Sequence, residues 1–220
     1  MMKPPSVVCK NLHKVAEANG SNILKECNLN FSGSGLAAIV GPSGAGKTSL
    51  LYCLSGLDMP TSGEVYINEK NIYTYNENQR SKYLRENVSF IFQNYNLLDY
   101  LTVKENILLS QKLARRNVSE RKLISFLNKF GIFELSNKKV SQLSGGEQQR
   151  VAICRAVLLE PSVIFADEPT SALDSKNSSI VLKYLKDISF KNTLVFMVTH
   201  DIPSASIADN LIFMKDGKIV

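Results

Sequence analysis

Leu36-Ala37-Ala38-Ile39-Val40-Gly41-Pro42-Ser43-Gly44-Ala45-Gly46-Lys47-Thr48-Ser49-Leu50-Leu51 is the stretch whose reading decides the fold. Its first five residues are apolar, as in a strand covered on both faces, and the run from Ser49 to Leu54 has helical character. Between them Gly41 to Thr48 fits G-x-x-x-x-G-K-[ST], and strand, glycine-rich turn and helix in that order is the setting in which this pattern wraps phosphate. The glycines let successive backbone N–H groups turn inward around a polyphosphate, and the helix presents its positive dipole end to the same anion. Gly41, Pro42, Ser43, Gly44, Ala45, Gly46, Lys47, Thr48 and Ser49 are therefore expected to line a nucleotide. Lys47 is the point charge for the β and γ phosphates, and the Thr48 hydroxyl is a ligand for Mg²⁺.

Around this unit other β-rich runs, Ser6 to Cys9, Val88 to Phe92, Val163 to Asp167 and Leu194 to Thr199, alternate with helical patterns. That alternation predicts an α/β fold with a largely parallel central sheet. Asp216-Gly217 between Leu211–Met214 and Lys218–Val220 suits a type I′ turn, so a hairpin is expected there. From Asn94 to Pro161 the strand signal disappears. Thr102 with Glu105 reads as a capping box before an apolar face of Ile107, Leu108 and Leu113. A second helix is expected over Ser119 to Phe130, and a third from Ser144, with Glu147 three places on, through Leu158. A helical lobe inserted into the α/β core is the expected organisation.

The 220 residues, 44% hydrophobic and 21% charged, exclude collagen-like and wholly disordered chains. The longest apolar runs fall far short of the roughly 18 residues of a membrane-spanning helix, and Met1 to Lys14 lacks the pattern of a secretory leader. A cytoplasmic location is the expectation. The formal charge of +6 is spread thinly, and the short basic groups Lys112 to Arg116 and Lys138 to Lys139 read as solvated helix faces. They lack interleaved aromatics, so no nucleic-acid partner is expected. Cys9, Cys27, Cys53 and Cys154 have no C-x-x-C spacing and read as reduced core residues.

Two further segments carry chemistry. Val163-Ile164-Phe165-Ala166-Asp167-Glu168 is an apolar strand ending in two carboxylates, at the strand end where ligands gather in such sheets. Asp167 can hold the metal and Glu168 can polarise an attacking water. Leu143-Ser144-Gly145-Gly146-Glu147-Gln148 places two glycines at a helix start, which is costly for the helix and suggests close approach to its N–H groups. It is a second anion site, and two such sites about a hundred residues apart suggest a nucleotide sandwiched between two copies.

With these motifs in place, the sequence resembles the ATP-binding subunit of an ABC transporter over essentially its whole length. In the family order stand the Walker A loop Gly41–Thr48, the Q-loop Gln93, the signature Leu143–Gln148, the Walker B carboxylates Asp167 and Glu168, the D-loop Ser171-Ala172-Leu173-Asp174 and the H-loop His200. The segments Phe90–Leu98 and Leu101-Thr102 are similar to the lipoprotein-release, macrolide-export and bacitracin-export branch. The resemblance implies a P-loop NTPase core of RecA type with a mainly parallel sheet, an N-terminal antiparallel β part and an inserted α-helical subdomain. It implies a single domain, with 1–93 and 161–220 as the catalytic core and 94–160 as the helical lobe. It further implies ATP and Mg²⁺ as cofactors and a head-to-tail pairing with a second ATPase subunit, expected to be an identical copy. ATP on one Walker A loop would be covered by the other copy's Ser144, Gly145 and Gly146, with Asp174 beside them. His200 would contact the γ phosphate, and Gln93 would ligate the metal and report to an integral membrane permease on a separate chain. The expected place of action is the inner face of the cell membrane. A non-transporting output, powering a mechanotransmission complex, is the alternative.

Tyr95, Leu97, Leu98, Tyr100 and Leu101 are the expected docking cluster for the permease. One departure from the family pattern stands out: residues 1 to 30 contain no Phe, Tyr or Trp to stack on adenine, with Ala16 near the expected place and His13 the one ring available.

Overall fold

The computed structural model describes residues 3–18, 20–171 and 173–220; Ala172 of the predicted D-loop therefore lies outside the described residues. A six-stranded sheet forms the centre. It comprises β3 (Gly35–Val40), β6 (Val88–Ile91), β7 (Val163–Asp167), β8 (Leu194–Val198), β9 (Asn210–Lys215) and β10 (Lys218–Ile219). Their order is β10-β9-β3-β8-β7-β6, parallel throughout except for the closing β9–β10 hairpin. Asp216 at φ 49° and Gly217 at φ 80° give that hairpin the two left-handed residues expected of its turn.

The alternation along each strand explains the layers. Ala37 and Ile39 of β3, Phe165 of β7 and Phe196 of β8 point to one apolar cluster. Leu36, Ala38, Ile164 and Met197 point to another. Every residue of β7 and β8 is buried, which is why these strands read as unbroken apolar runs. The first cluster is closed by α1 (Lys47–Ser55), by Tyr83 and Leu84 of α2 (Glu77–Asn87) and by a second, antiparallel sheet. That sheet runs β2-β1-β4-β5, with β1 (Ser6–Val15), β2 (Asn22–Ser32), β4 (Ser62–Ile67) and β5 (Lys70–Asn71). Phe165 and Phe196 stack across this cluster with ring centroids 5.6 Å apart.

On the opposite face the second cluster is built from α3 (Val103–Leu113), α4 (Glu120–Lys129), α5 (Gly145–Leu158) and α6 (Ser175–Ser189). The capping boxes predicted at Thr102 and Ser144 are both present, and Ser119, expected as the first residue of its helix, is the N-cap of α4. Leu113 corrects the predicted α3 face: it is 62% exposed, while Val103, Asn106, Ile107 and Gln111 are buried. Six residues at about 100° each carry position 113 well off the side on which Ile107 lies. Arg116 is likewise more than a solvated cation, since its guanidinium donates to the carbonyls of Leu159 (2.5 Å) and Glu86 (2.9 Å). All four cysteines are buried free thiols, as expected, and burial pushes Cys9 and Cys53 up to about 12.

Candidate functional site

The Walker A segment is shaped by close packing. Gly41 has φ 156°, and a Cβ there would lie 2.2 Å from the Met214 carbonyl of β9, so no larger residue fits. Gly46 caps α1 in a left-handed conformation, with no side chain closing the helix start and no acidic residue in its first turn. The first-turn N–H groups are thus left for an anion, with the dipole in support. Lys47 is 8% exposed and its Nζ donates to the carbonyls of Gly41 and Pro42, each at 2.9 Å. The ammonium is curled over the loop that the phosphates would fill.

The carboxylates arrive on β7. Asp167 ends the strand, and its Oδ1 accepts from the Thr48 hydroxyl at 3.2 Å. Burial pushes its carboxyl up; hydrogen bonds from Thr48 and Tyr52 oppose this. A hydroxyl beside a desolvated carboxylate is a hard-oxygen donor set that fits Mg²⁺, which takes a few protein oxygens and fills the rest with water and phosphate. Glu168 leaves the strand at φ 47°, and its N–H donates to the Val198 carbonyl, which turns the side chain toward the H-loop. There His200 Nδ1 lies 2.8 Å from Oε1 and 2.7 Å from Oε2. The Glu168 side chain is 15% exposed and that of His200 67%, so the pair has one protected and one open member.

Ser43, Gly44, Gly46, Lys47, Thr48, Ser49, Gln93, Glu168 and His200 all line a cavity of about 500 Å³. Gly41, Pro42, Ser43, Lys47, Glu168 and His200 line a second, of about 670 Å³. A third cavity, of about 970 Å³, is lined by Glu168 and His200 together with Ser171 and Leu173. Glu168 and His200 are thus a wall common to all three. The predicted residues Ser144, Gly145, Gly146 and Asp174 line none of these cavities. Among the described residues of the first 30 positions, Ile23 lines the cavity of about 500 Å³ and His13 does not.

Two sequence readings change here. The signature glycines have an internal reason: a Cβ on Gly145 would sit 3.1 Å from the Tyr95 hydroxyl, and one on Gly146 would sit 2.9 Å from Cγ of Asn177. The Ser144 hydroxyl is also engaged, capping α5 and donating to Glu147 Oε2 at 2.8 Å. The expected docking cluster is not one exposed surface. Leu97 packs against the helical core, Tyr95 covers Gly145, and of the five Tyr100 is the fully exposed member, at 70%.

Residues that sequence reading missed hold this segment in place. Arg155 of α5 donates to the carbonyls of Tyr95 (2.9 Å) and Asn96 (2.7 Å), residues held at φ 59° and 47°. Asn106 of α3 accepts from Leu98 N–H at 2.8 Å and donates to the Leu98, Leu101 and Thr102 carbonyls. An asparagine at a core position between Val103 and Ile107 was the available signal.

Known proteins are similar to this chain in sequence and in fold. The ABC transporter family model matches residues 24–171. The bacitracin export ATP-binding protein BceA of Halalkalibacterium halodurans is 39% identical over 95% of this chain and 85% of its own. The macrolide export ATP-binding/permease protein MacB of Haemophilus ducreyi is 38% identical over all of this chain and 32% of its own. Among solved structures, a dimeric post-hydrolysis state of the ATP-binding cassette MJ0796, bound to ADP and Pi, superposes with a TM-score of 0.89 at 36% identity. That superposition covers 97% of this chain and 96% of that one. On that family match, those relatives and that shared fold, the chain belongs to the ABC transporter family, as an ATP-binding and ATP-hydrolysing subunit.

Proposed function

We propose that this chain works as a pair, expected to be two identical copies, that closes on Mg²⁺-ATP and opens on hydrolysis. The pair drives a membrane permease on a separate polypeptide, from the inner face of the cell membrane. The observation that carries the reading is the Glu168–His200 pair standing in the same cavity wall as Lys47 and the open start of α1. Lys47 and the N–H groups of Gly44 to Ser49 bind the phosphates. Thr48 and Asp167, with the exposed Gln93, would hold Mg²⁺, which when bound supplies charge neutralisation at the phosphates. Glu168 takes a proton from the attacking water, and His200 orients that carboxylate while reaching the γ phosphate. Ser144, Gly145, Gly146 and Asp174, absent from the chain's own cavities, serve the other copy's nucleotide. Residues 94–160 form the lobe that meets the permease, and no nucleic acid takes part. The relatives named for bacitracin and macrolide export support export or extraction of a peptide, antimicrobial or lipoprotein as the output.

The test is reconstitution with the copurifying permease in liposomes. Cargo movement and permease-stimulated ATPase are expected, and Tyr100→Asp should abolish the stimulation while the isolated chain still hydrolyses ATP. Stimulation that survives in this variant would place docking elsewhere; a complex that hydrolyses ATP without moving any cargo would favour mechanotransmission.

The base side of the pocket gives a second expectation. Ile23 offers an aliphatic wall and no ring. Stacking on a base is worth roughly 1–3 kcal/mol, so forgoing about 1 kcal/mol lowers nucleotide affinity about fivefold and weakens discrimination between bases. ATP and GTP should therefore be hydrolysed with similar kcat/KM, and a clear preference for ATP would contradict this.

A further inference from the structure

The contact between α5 and the first turn of α6 has a chemistry that helix capping does not require. Asp174 caps α6 by accepting from the Asn177 backbone N–H at 2.8 Å, and for capping that bond suffices. The Asn177 side chain adds two more bonds. Its Nδ2 donates to Asp174 Oδ2 at 2.7 Å, and its Oδ1 accepts from Arg150 Nη1 at 2.9 Å. Arg150 stands four residues after Gly146, on the same side of α5. Gly146 itself faces the Asn177 amide, with all three amide heavy atoms within 3.1 Å of where a Cβ would be. One planar amide thus uses both ends, and its face abuts the second signature glycine. The Asp174 carboxyl is held below the usual range, first by the Asn177 N–H and then by its side chain.

We propose that Asn177 is a positioning residue that locks Asp174 and the Ser144–Gly146 helix start into one surface, so that both meet the partner copy's nucleotide in register. The proposal rests on the reading that these residues close over the other copy's triphosphate. Two pieces separated by almost thirty residues in sequence must present donors to one ligand together, and the amide fixes their relative position. Asn177 does this without touching its own chain's nucleotide cavity.

The amide's two ends suggest the test. Asn177→Asp keeps the acceptor for Arg150 but sets a second carboxylate against Asp174, and Asn177→Ala removes both side-chain bonds while the backbone cap and Asp174 itself stay native. Each version is built into full-length Glu168→Gln protein, and three quantities are read: ATP affinity of the monomer, melting temperature, and the ATP-dependent monomer–dimer constant from sedimentation. Both substitutions should weaken ATP-driven dimerisation by about tenfold or more, the size of a typical coupling between bonded neighbours. Monomer ATP affinity and melting temperature should hold. Unchanged dimerisation in either variant, or a loss that follows melting temperature, would overturn the proposal. If the parent Glu168→Gln chain itself does not dimerise on ATP, the shared-pocket reading falls and takes this proposal with it. A dimerising parent with an unaffected variant overturns the proposal alone.

Discussion

Glu168→Gln is expected to lower ATP turnover by about 10² to 10⁴, the usual worth of a general base, while leaving ATP binding intact. The substitution preserves shape. Glutamine can occupy the φ 47° position as glutamate does, and its amide can still bond His200, which lies 2.7 Å from the native carboxylate. What it removes is the group that accepts a proton from water. Because Lys47, the α1 start and the Thr48–Asp167 pair are untouched, nucleotide affinity measured by calorimetry should stay near that of the wild type. Normal turnover in a single-turnover assay would refute Glu168 as the base. Loss of binding together with turnover would mean that the side chain holds the pocket open and does no proton chemistry.

Lys47→Ala should act on the other quantity. Its Nζ already sits over the phosphate loop, bonded to the Gly41 and Pro42 carbonyls, so little rearrangement separates the empty geometry from one in which it bonds phosphate. A hydrogen bond to a charged group contributes about 1.5–3 kcal/mol, and its loss should raise the Kd for ATP roughly ten- to hundredfold. The fold should survive, because the core side chains of the same helix, Leu50, Leu51 and Leu54, are untouched. Fluorescent-nucleotide titration of the variant gives the answer, and an affinity close to the wild-type value would remove Lys47 from the phosphate contacts. The two substitutions thus separate binding from hydrolysis at residues that line one cavity.

The central sheet was legible because its strands are buried on both faces and hence nearly free of polar residues, as in Val163–Ala166 and Leu194–Val198. The antiparallel sheet was much less so. Strand β2 interleaves Leu24, Cys27 and Leu29 with Asn, Lys and Glu, and Glu26 at φ 54° breaks its period of two, while β4 opens on Ser-Gly-Glu. The helix Glu77–Asn87 has no fully buried side chain, and with only Tyr83 and Leu84 packed against the core it shows no apolar stripe to announce it; its Asn76/Gln79 capping box was the remaining signal. At the site, residues of one loop or one strand end were readable from spacing, including Lys47, Asp167 and Glu168. Arg155 bonds the Tyr95 and Asn96 carbonyls, 60 and 59 residues back, and Asn177 bonds Arg150 of the helical lobe, and no local pattern encodes such partners; Asn106 instead holds the turn immediately before its own helix. The signature glycines show the same limit from the other side. Their sequence cost was correctly seen, but the immediate reason for it is Tyr95 and Asn177.

The central claim is that one triphosphate is held by two polypeptides at once. It is tested most directly by sedimentation of the Glu168→Gln protein with Mg²⁺-ATP, with ADP, and without nucleotide. The account predicts a dimer in Mg²⁺-ATP and monomers in the other two conditions. A protein that binds ATP yet stays monomeric, both alone and with its permease present, would contradict it.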